Sequence, residues 1–139
     1  MTVEEKEQDW LKLPNIMLFG GTSREQLAYC DNFYEHEFKV DGRSYKTVEH
    51  LFQSYKFHEN GAPTEYSEQI RTCKDGPEAK RLGAAKRLSR EVLDAWKSGG
   101  SQRAMSLALA AKFAKGSELA QKLVADSGNV LLVEKVEDE

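Results

Sequence analysis

Cysteine is scarce in this chain: Cys30 and Cys73 are the only two, and neither sits in a CxxC or a Cys/His cluster with metal-ligand spacing. That excludes a disulfide scaffold and leaves no evident metal site, so two reduced thiols in a cytoplasmic protein are expected. Long apolar runs are missing too. Nothing approaches the roughly 18 residues of a membrane span, and the acidic start, Met1 to Asp9, lacks the positive and apolar regions of a signal peptide. Nor is there an excess of positive charge: 20 Lys and Arg against 23 Asp and Glu give a net charge of -3. A general nucleic-acid binder is thereby disfavoured, although a local basic site is still allowed. Repeats, low-complexity tracts and interdomain linkers are also absent, which for 139 residues implies one domain with room for a real core.

What is present is punctuated clearly. Residues 1–13 are charged and aperiodic, a lead-in that Trp10 could dock, closed by Pro14, with the domain expected over residues 14–139. Ile16 to Phe19 form a short apolar run stopped by Gly20 and Gly21, the pattern of a buried strand. Asp41-Gly42 lies between the alternating segment Glu37 to Val40 and Ser44-Tyr45, a hairpin signal. Thr47 offers an N-cap to a helix carrying Val48, Leu51, Phe52 and Tyr55 inward, with Gly61 and Pro63 ending the element. Asp75-Gly76-Pro77 opens the next helix, Ser89 caps another that is interrupted at Gly99-Gly100, and Met105 to Phe113 resume the 3.6-residue period. Ser117 starts a short helix through Leu123, and Asn129 to Glu134 reads as a closing strand.

The segment with chemical potential is Thr47 to Phe57. Glu49, Gln53 and Lys56 stand at i, i+4 and i+7, so they share one helical edge beside the apolar stripe. A carboxylate, an amide and an amine on one rigid element suit the positioning of a polar substrate and the movement of protons. The same spacing equally describes a solvated edge of paired charges. His50 points about 100° away from Glu49 and reads as a structural or surface histidine. Lys80, Arg81, Lys86 and Arg87 form a basic cluster that could meet phosphates or simply face solvent. Trp96, before Gly99-Gly100, fits either a base-stacking ring or a core anchor.

Taken in order, Asn32-Phe33-Tyr34, then Phe38-x-Val40-Asp41-Gly42-x-x-Tyr45-x-Thr47-Val48-Glu49-His50-x-Phe52-Gln53-x-x-Lys56-Phe57, resembles the signature of the NADAR (YbiA-like) family of N-glycosidases and ADP-ribosyl hydrolases. The likeness continues through Pro77-x-Glu-Ala-Lys80-x-x-Gly83, Trp96, Met105 and Lys112-Phe113 to Leu132-Val133-Glu134, far more anchored positions than a lone motif. It implies an α+β fold: a single compact, mostly α-helical domain with a small β-sheet. It further implies cleavage of N-glycosidic bonds of ribosyl compounds, either ADP-ribosylated guanine in nucleic acid or a pyrimidine ribosyl-phosphate intermediate of riboflavin biosynthesis. On this resemblance Glu49 is the catalytic carboxylate, and Lys56 is a sugar-binding or Schiff-base group. Asn32, Phe33 and Gln53 bind substrate, Lys80 faces phosphate and Trp96 stacks in the pocket. Two departures stand out. Cys30-Asp31 replaces the usual Leu-Ser, and the closing acidic residue followed by Trp-Gly has no full counterpart, which places the late acidic role on Glu139 or Asp138.

Breaking a ribose C1–nitrogen bond builds cationic character on the sugar and negative charge on the leaving base, and both need stabilising. Glu49 could activate water while the end-of-chain carboxylate stabilises the cation, or Lys56 could attack the opened sugar as an amine with Glu49 shuttling protons. Neither route requires a metal or an organic cofactor. The expected partner is a small nucleotide or an ADP-ribosylated nucleic acid, with no membrane involvement. The alternative from a different class is a non-catalytic module that binds ADP-ribose or a nucleotide.

Overall fold

In the computed structural model, which describes residues 16–19, 25–127 and 131–134, Asp41 and Gly42 both take left-handed backbone angles, with φ of 51° and 76°. That is the two-residue turn whose twist matches paired strands, so the hairpin forms where the sequence asks for it. In chain order the elements are β1 (Ile16–Phe19), a 3₁₀ turn (Glu25–Cys30), β2 (Phe38–Val40), β3 (Arg43–Tyr45), α1 (Val48–Lys56), α2 (Glu65–Arg71), α3 (Gly76–Ala85), α4 (Arg90–Ala95), α5 (Ser101–Lys112), α6 (Glu118–Ser127) and β4 (Leu131–Glu134). A wide turn at Trp96–Gly100, broken at Gly99, joins α4 to α5. The architecture is mostly helical with little sheet, as expected from the sequence resemblance.

Contacts divide the chain into two units: Met1–Asp31 with Gly116–Glu139, and Asn32–Lys115. In the first, β1 and β4 pair in parallel, with Ile16 opposite Leu131 and Phe19 opposite Glu134. Tyr29, 1% exposed, donates its hydroxyl to Asp126 at 2.6 Å and carries the Lys122 amine over its ring at 4.7 Å. Burial and the Asp126 carboxylate hold that phenol well above its usual pKa. The expected lead-in of residues 1–13, Pro14, the Gly20-Gly21 stop and Glu137 to Glu139 lie outside the described residues.

The second unit is organised around α1, which packs on α2 and α3 along one side and on α5 and the hairpin along the other. Phe38, Val40, Tyr45, Val48, Leu51, Ala104 and Ala108 make one apolar cluster, and Phe57, Ile70, Ala79 and Leu82 make the other. Because partners lie on both sides, α1 is buried well beyond one stripe. Val48 and Leu51 are inside as expected, whereas Phe52 and Tyr55 are half-buried at the margin, and Glu49, His50 and Ser54 are buried as well. The helix also stops at Lys56, short of Gly61 and Pro63, because Asn60-Gly61 makes its own tight turn between Glu59 and Ala62. α2 carries too little apolar periodicity to mark it in the sequence. Its N-cap is a reciprocal pair of Thr64 and Ser67, and the short serine hydroxyl stands where the familiar pattern has Glu or Gln. The remaining caps, Thr47, Asp75 and Ser89, each accept a backbone N–H from the third residue onward, and α6 runs four residues past Leu123.

Candidate functional site

His50, which sequence alone left between structure and surface, is structural. Its ring is fully buried, with Nδ1 2.8 Å from the Thr47 hydroxyl and Nε2 3.2 Å from the Cys73 carbonyl. A carbonyl can only accept, so Nε2 carries the proton and Nδ1 accepts from Thr47. Burial lowers the imidazole pKa and keeps the ring neutral. The pair locks the start of α1 to the loop after α2, fixing the helix that bears the site.

Glu49 sits in the first turn of α1 and is 8% exposed. Its backbone N–H donates to the Asn32 carbonyl at 3.1 Å, so Asn32 contributes through its main chain to where the helix begins. The helix N-terminus favours negative charge here, by roughly 0.3–1 kcal/mol. One turn on, Gln53 Nε2 donates to Glu49 Oε1 at 2.8 Å. With a carboxylate as acceptor the amide must present its nitrogen, which turns Gln53 Oε1 the other way, towards Gly83 of α3. That oxygen is buried and has no hydrogen-bond donor among the described residues. Leaving an acceptor so costs about 1–3 kcal/mol. At Gly83 a Cβ would lie 1.9 Å from Gln53 Oε1, so the side chain fits only because residue 83 has none.

Lys56, at the last turn of α1, donates its Nζ to the Gly83 carbonyl at 3.0 Å. The i, i+4, i+7 edge is thus one side of a seam between α1 and α3, and the solvated-edge alternative does not describe it. Phe33 rests on α3 two turns earlier: a Cβ at Gly76 would be 2.8 Å from its Cδ1, although the ring is 38% exposed. Lys80 is exposed, and on helical spacing it shares the α3 face of Gly76 and Gly83. Trp96 is half-buried and tilts 55° against Phe52 at 5.0 Å, the residue one turn from Glu49. It is therefore packed on the core margin and also lines a cavity of about 270 Å³ with Tyr55, His58 and Arg103.

The basic cluster expected on α3 does not stay together. Arg81 forks onto Glu78, while Lys86 lies over the Tyr66 ring at 4.8 Å and, with Arg87, lines a cavity of about 620 Å³ that reaches Lys56 but not Glu49. Glu139 lies outside the described residues. Lys112 received no role from the sequence beyond its place in the motif, yet it is 2% exposed, with its amine over the rings of Tyr34 and Phe113 at 5.7 and 5.2 Å. The signal was there: Ala104, Ala108 and Lys112 recur every fourth residue along the buried face of α5. No group of three or more His, Cys, Asp or Glu able to hold a metal ion occurs among the described residues, and no helix there is long and apolar enough to cross a membrane.

The family model described as the NADAR domain matches residues 18–139. The chain is 35% identical over 124 residues to proteins named N-glycosidase YbiA from Shigella boydii serotype 4 and from Escherichia coli strain K12, covering 89% of this chain and 72% of each relative. Its fold is similar to the NMR structure of the E. coli protein YbiA, with a TM-score of 0.66 and 29% identity, covering 96% of this chain and 74% of that one.

Proposed function

We propose, on the premise that this chain belongs to the NADAR domain family, that it hydrolyses the N-glycosidic bond of a ribosyl or ADP-ribosyl nucleotide, with Glu49 as general base. The observation that carries this reading is the Glu49 carboxylate itself, 8% exposed and held by Gln53 on the edge that also bears Lys56. A carboxylate is costly to bury, and one oriented by a directed hydrogen bond is held in place to take a proton.

In this mechanism Glu49 removes a proton from water, the water oxygen bonds to ribose C1, and the C1–nitrogen bond breaks with its electron pair leaving on the base, which is then protonated. Lys56, Asn32 and Phe33 hold the sugar side, Lys80 meets phosphate from the α3 face, and Trp96 stacks on the base. Glu139 supplies the second carboxylate that stabilises the cationic sugar. Lys56 is assigned to binding: its amine donates one hydrogen to the Gly83 carbonyl at 3.0 Å and has others left for the sugar hydroxyls. The substrate is ADP-ribosylated guanine in nucleic acid or a pyrimidine ribosyl phosphate, and the protein works in the cytoplasm.

The test is release of free base over time from ADP-ribosylated guanine in DNA or RNA and, in parallel, from a pyrimidine ribosyl phosphate. Continuous release from one of them is expected. Stoichiometric binding of both without release would replace the hydrolase by a binding module.

A further inference from the structure

We propose that Gln53, which the sequence resemblance assigns to substrate binding, acts instead with Gly83 as a positioning pair that sets the Glu49 carboxylate, so that Gln53 serves the reaction through Glu49 and without touching substrate. The inference rests on Glu49 being the base. One end of the Gln53 amide donates to Glu49 Oε1 at 2.8 Å, and the other end is buried without a donor among the described residues. A side chain kept only to fill this space would be better apolar, since Met or Leu would leave no orphaned oxygen. What the amide adds over them is its N–H, and that is aimed at the carboxylate.

Gly83 closes the other side of the clamp. A Cβ at this position would meet Gln53 Oε1 at 1.9 Å and Cδ at 2.5 Å, closer than such atoms can come, with Cγ tight at 3.1 Å. Any residue but glycine would therefore push the amide off Glu49. The φ of Gly83 is not in the left-handed region, so the glycine is required by this close approach and not by backbone conformation. Its carbonyl holds Lys56 Nζ at 3.0 Å, so a single α3 residue touches both polar side chains that follow Glu49 along the edge. Fixing a carboxylate's plane against thermal rotation is the kind of support a proton-transfer group needs.

The experiment measures single-turnover base release, ADP-ribose binding and melting temperature for the parent, Gln53→Met, Gln53→Ala, Gly83→Ala and the Gly83→Ala/Gln53→Ala double variant. Gln53→Met should lower the rate at saturation by about 10- to 100-fold, the range for losing a hydrogen bond to a charged group. ADP-ribose affinity should stay within about threefold, because the proposal gives Gln53 no substrate contact. Gly83→Ala should show the same signature. In the double variant the methyl group has room, so its rate should equal that of Gln53→Ala alone. Additive losses would overturn the clamp, and weakened ADP-ribose binding with a normal saturated rate would make Gln53 a substrate contact instead. A reading independent of activity and of the alanine variants is the Gln53 side-chain amide NMR signal, which should move on Glu49→Gln. An unmoved signal overturns the pair. A parent that releases base from neither substrate refutes the hydrolase while the NMR result still decides the clamp.

Discussion

Replacing Glu49 by glutamine separates chemistry from folding more sharply than any other single change at this site. The side chain keeps its length, and its amide oxygen can still accept from Gln53 Nε2, now 2.8 Å from Glu49 Oε1. The stability terms are modest. A charge-assisted hydrogen bond becomes a neutral one, a loss of about 1 kcal/mol, and the favourable helix-terminus charge goes, another 0.3–1 kcal/mol or so. Against these stands relief from burying a carboxylate that is only 8% exposed. The net change should be no more than about 2 kcal/mol, which for a chain of this size is roughly 3 to 8 °C in melting temperature. Loss of a positioned general base, by contrast, lowers turnover by about 10² to 10⁴. Single-turnover base release, ADP-ribose titration and thermal melting on one folded preparation should therefore show a collapsed rate, near-parental binding and a small melting shift. A rate within about threefold of the parent would refute the role, because general catalysis contributes far more than that.

Lys56→Arg should weaken substrate binding while, in the parent, borohydride added during turnover leaves no ribosyl adduct on the Lys56 peptide; a mass-detected adduct that vanishes in Lys56→Arg would replace water displacement by an imine. Trp96→Ala should cost about 2 kcal/mol of stability, part of the full loss for a buried ring, and raise the apparent substrate constant through a lost stacking contact of about 1–3 kcal/mol; a stable variant with parental kinetics removes it from both roles. His50 has its pKa lowered by burial, so its unfolded form binds a proton first, and stability should be full above about pH 6.5 and fall as pH drops from there through the lower folded value. The slope is at most about 1.4 kcal/mol per pH unit per histidine, and His58, also lowered by burial, adds to it. Denaturant midpoints of the parent and His50→Asn between pH 5 and 8 check this: a curve for the parent no steeper than that of the variant would show that His50 does not couple.

Local signals in the sequence were sufficient where the controlling interaction is local. The Asp41-Gly42 hairpin, the Thr47, Asp75 and Ser89 caps and the break at Gly99 each depend on residues within a turn of one another. The edge of Glu49, Gln53 and Lys56 was legible for the same reason. What faces that edge was not, because α3 enters the seam from 27 residues downstream of Lys56, and periodicity carries no information about which two helices meet. The parallel pairing of β1 with β4 is equally non-local. α2 was lost because polar residues dominate its short span and Ser67 is an uncommon capping partner. Gly83 was visible only as a position of the motif, and the packed amide of Gln53 against it gives the physical reason for a glycine there.

The burial of α1 between α2 and α3 on one side and α5 with the hairpin on the other ties the lifetime of the site to that of the second unit. A group on a peripheral loop can open and close many times before the fold around it is lost; the edge of Glu49, Gln53 and Lys56 lies instead on a helix packed inside the second unit. Amides of residues 51–56 should exchange with solvent deuterium only in the slowest class, at a rate set by cooperative opening of the second unit. Warming should then leave the site intact until it disappears in one step with the core.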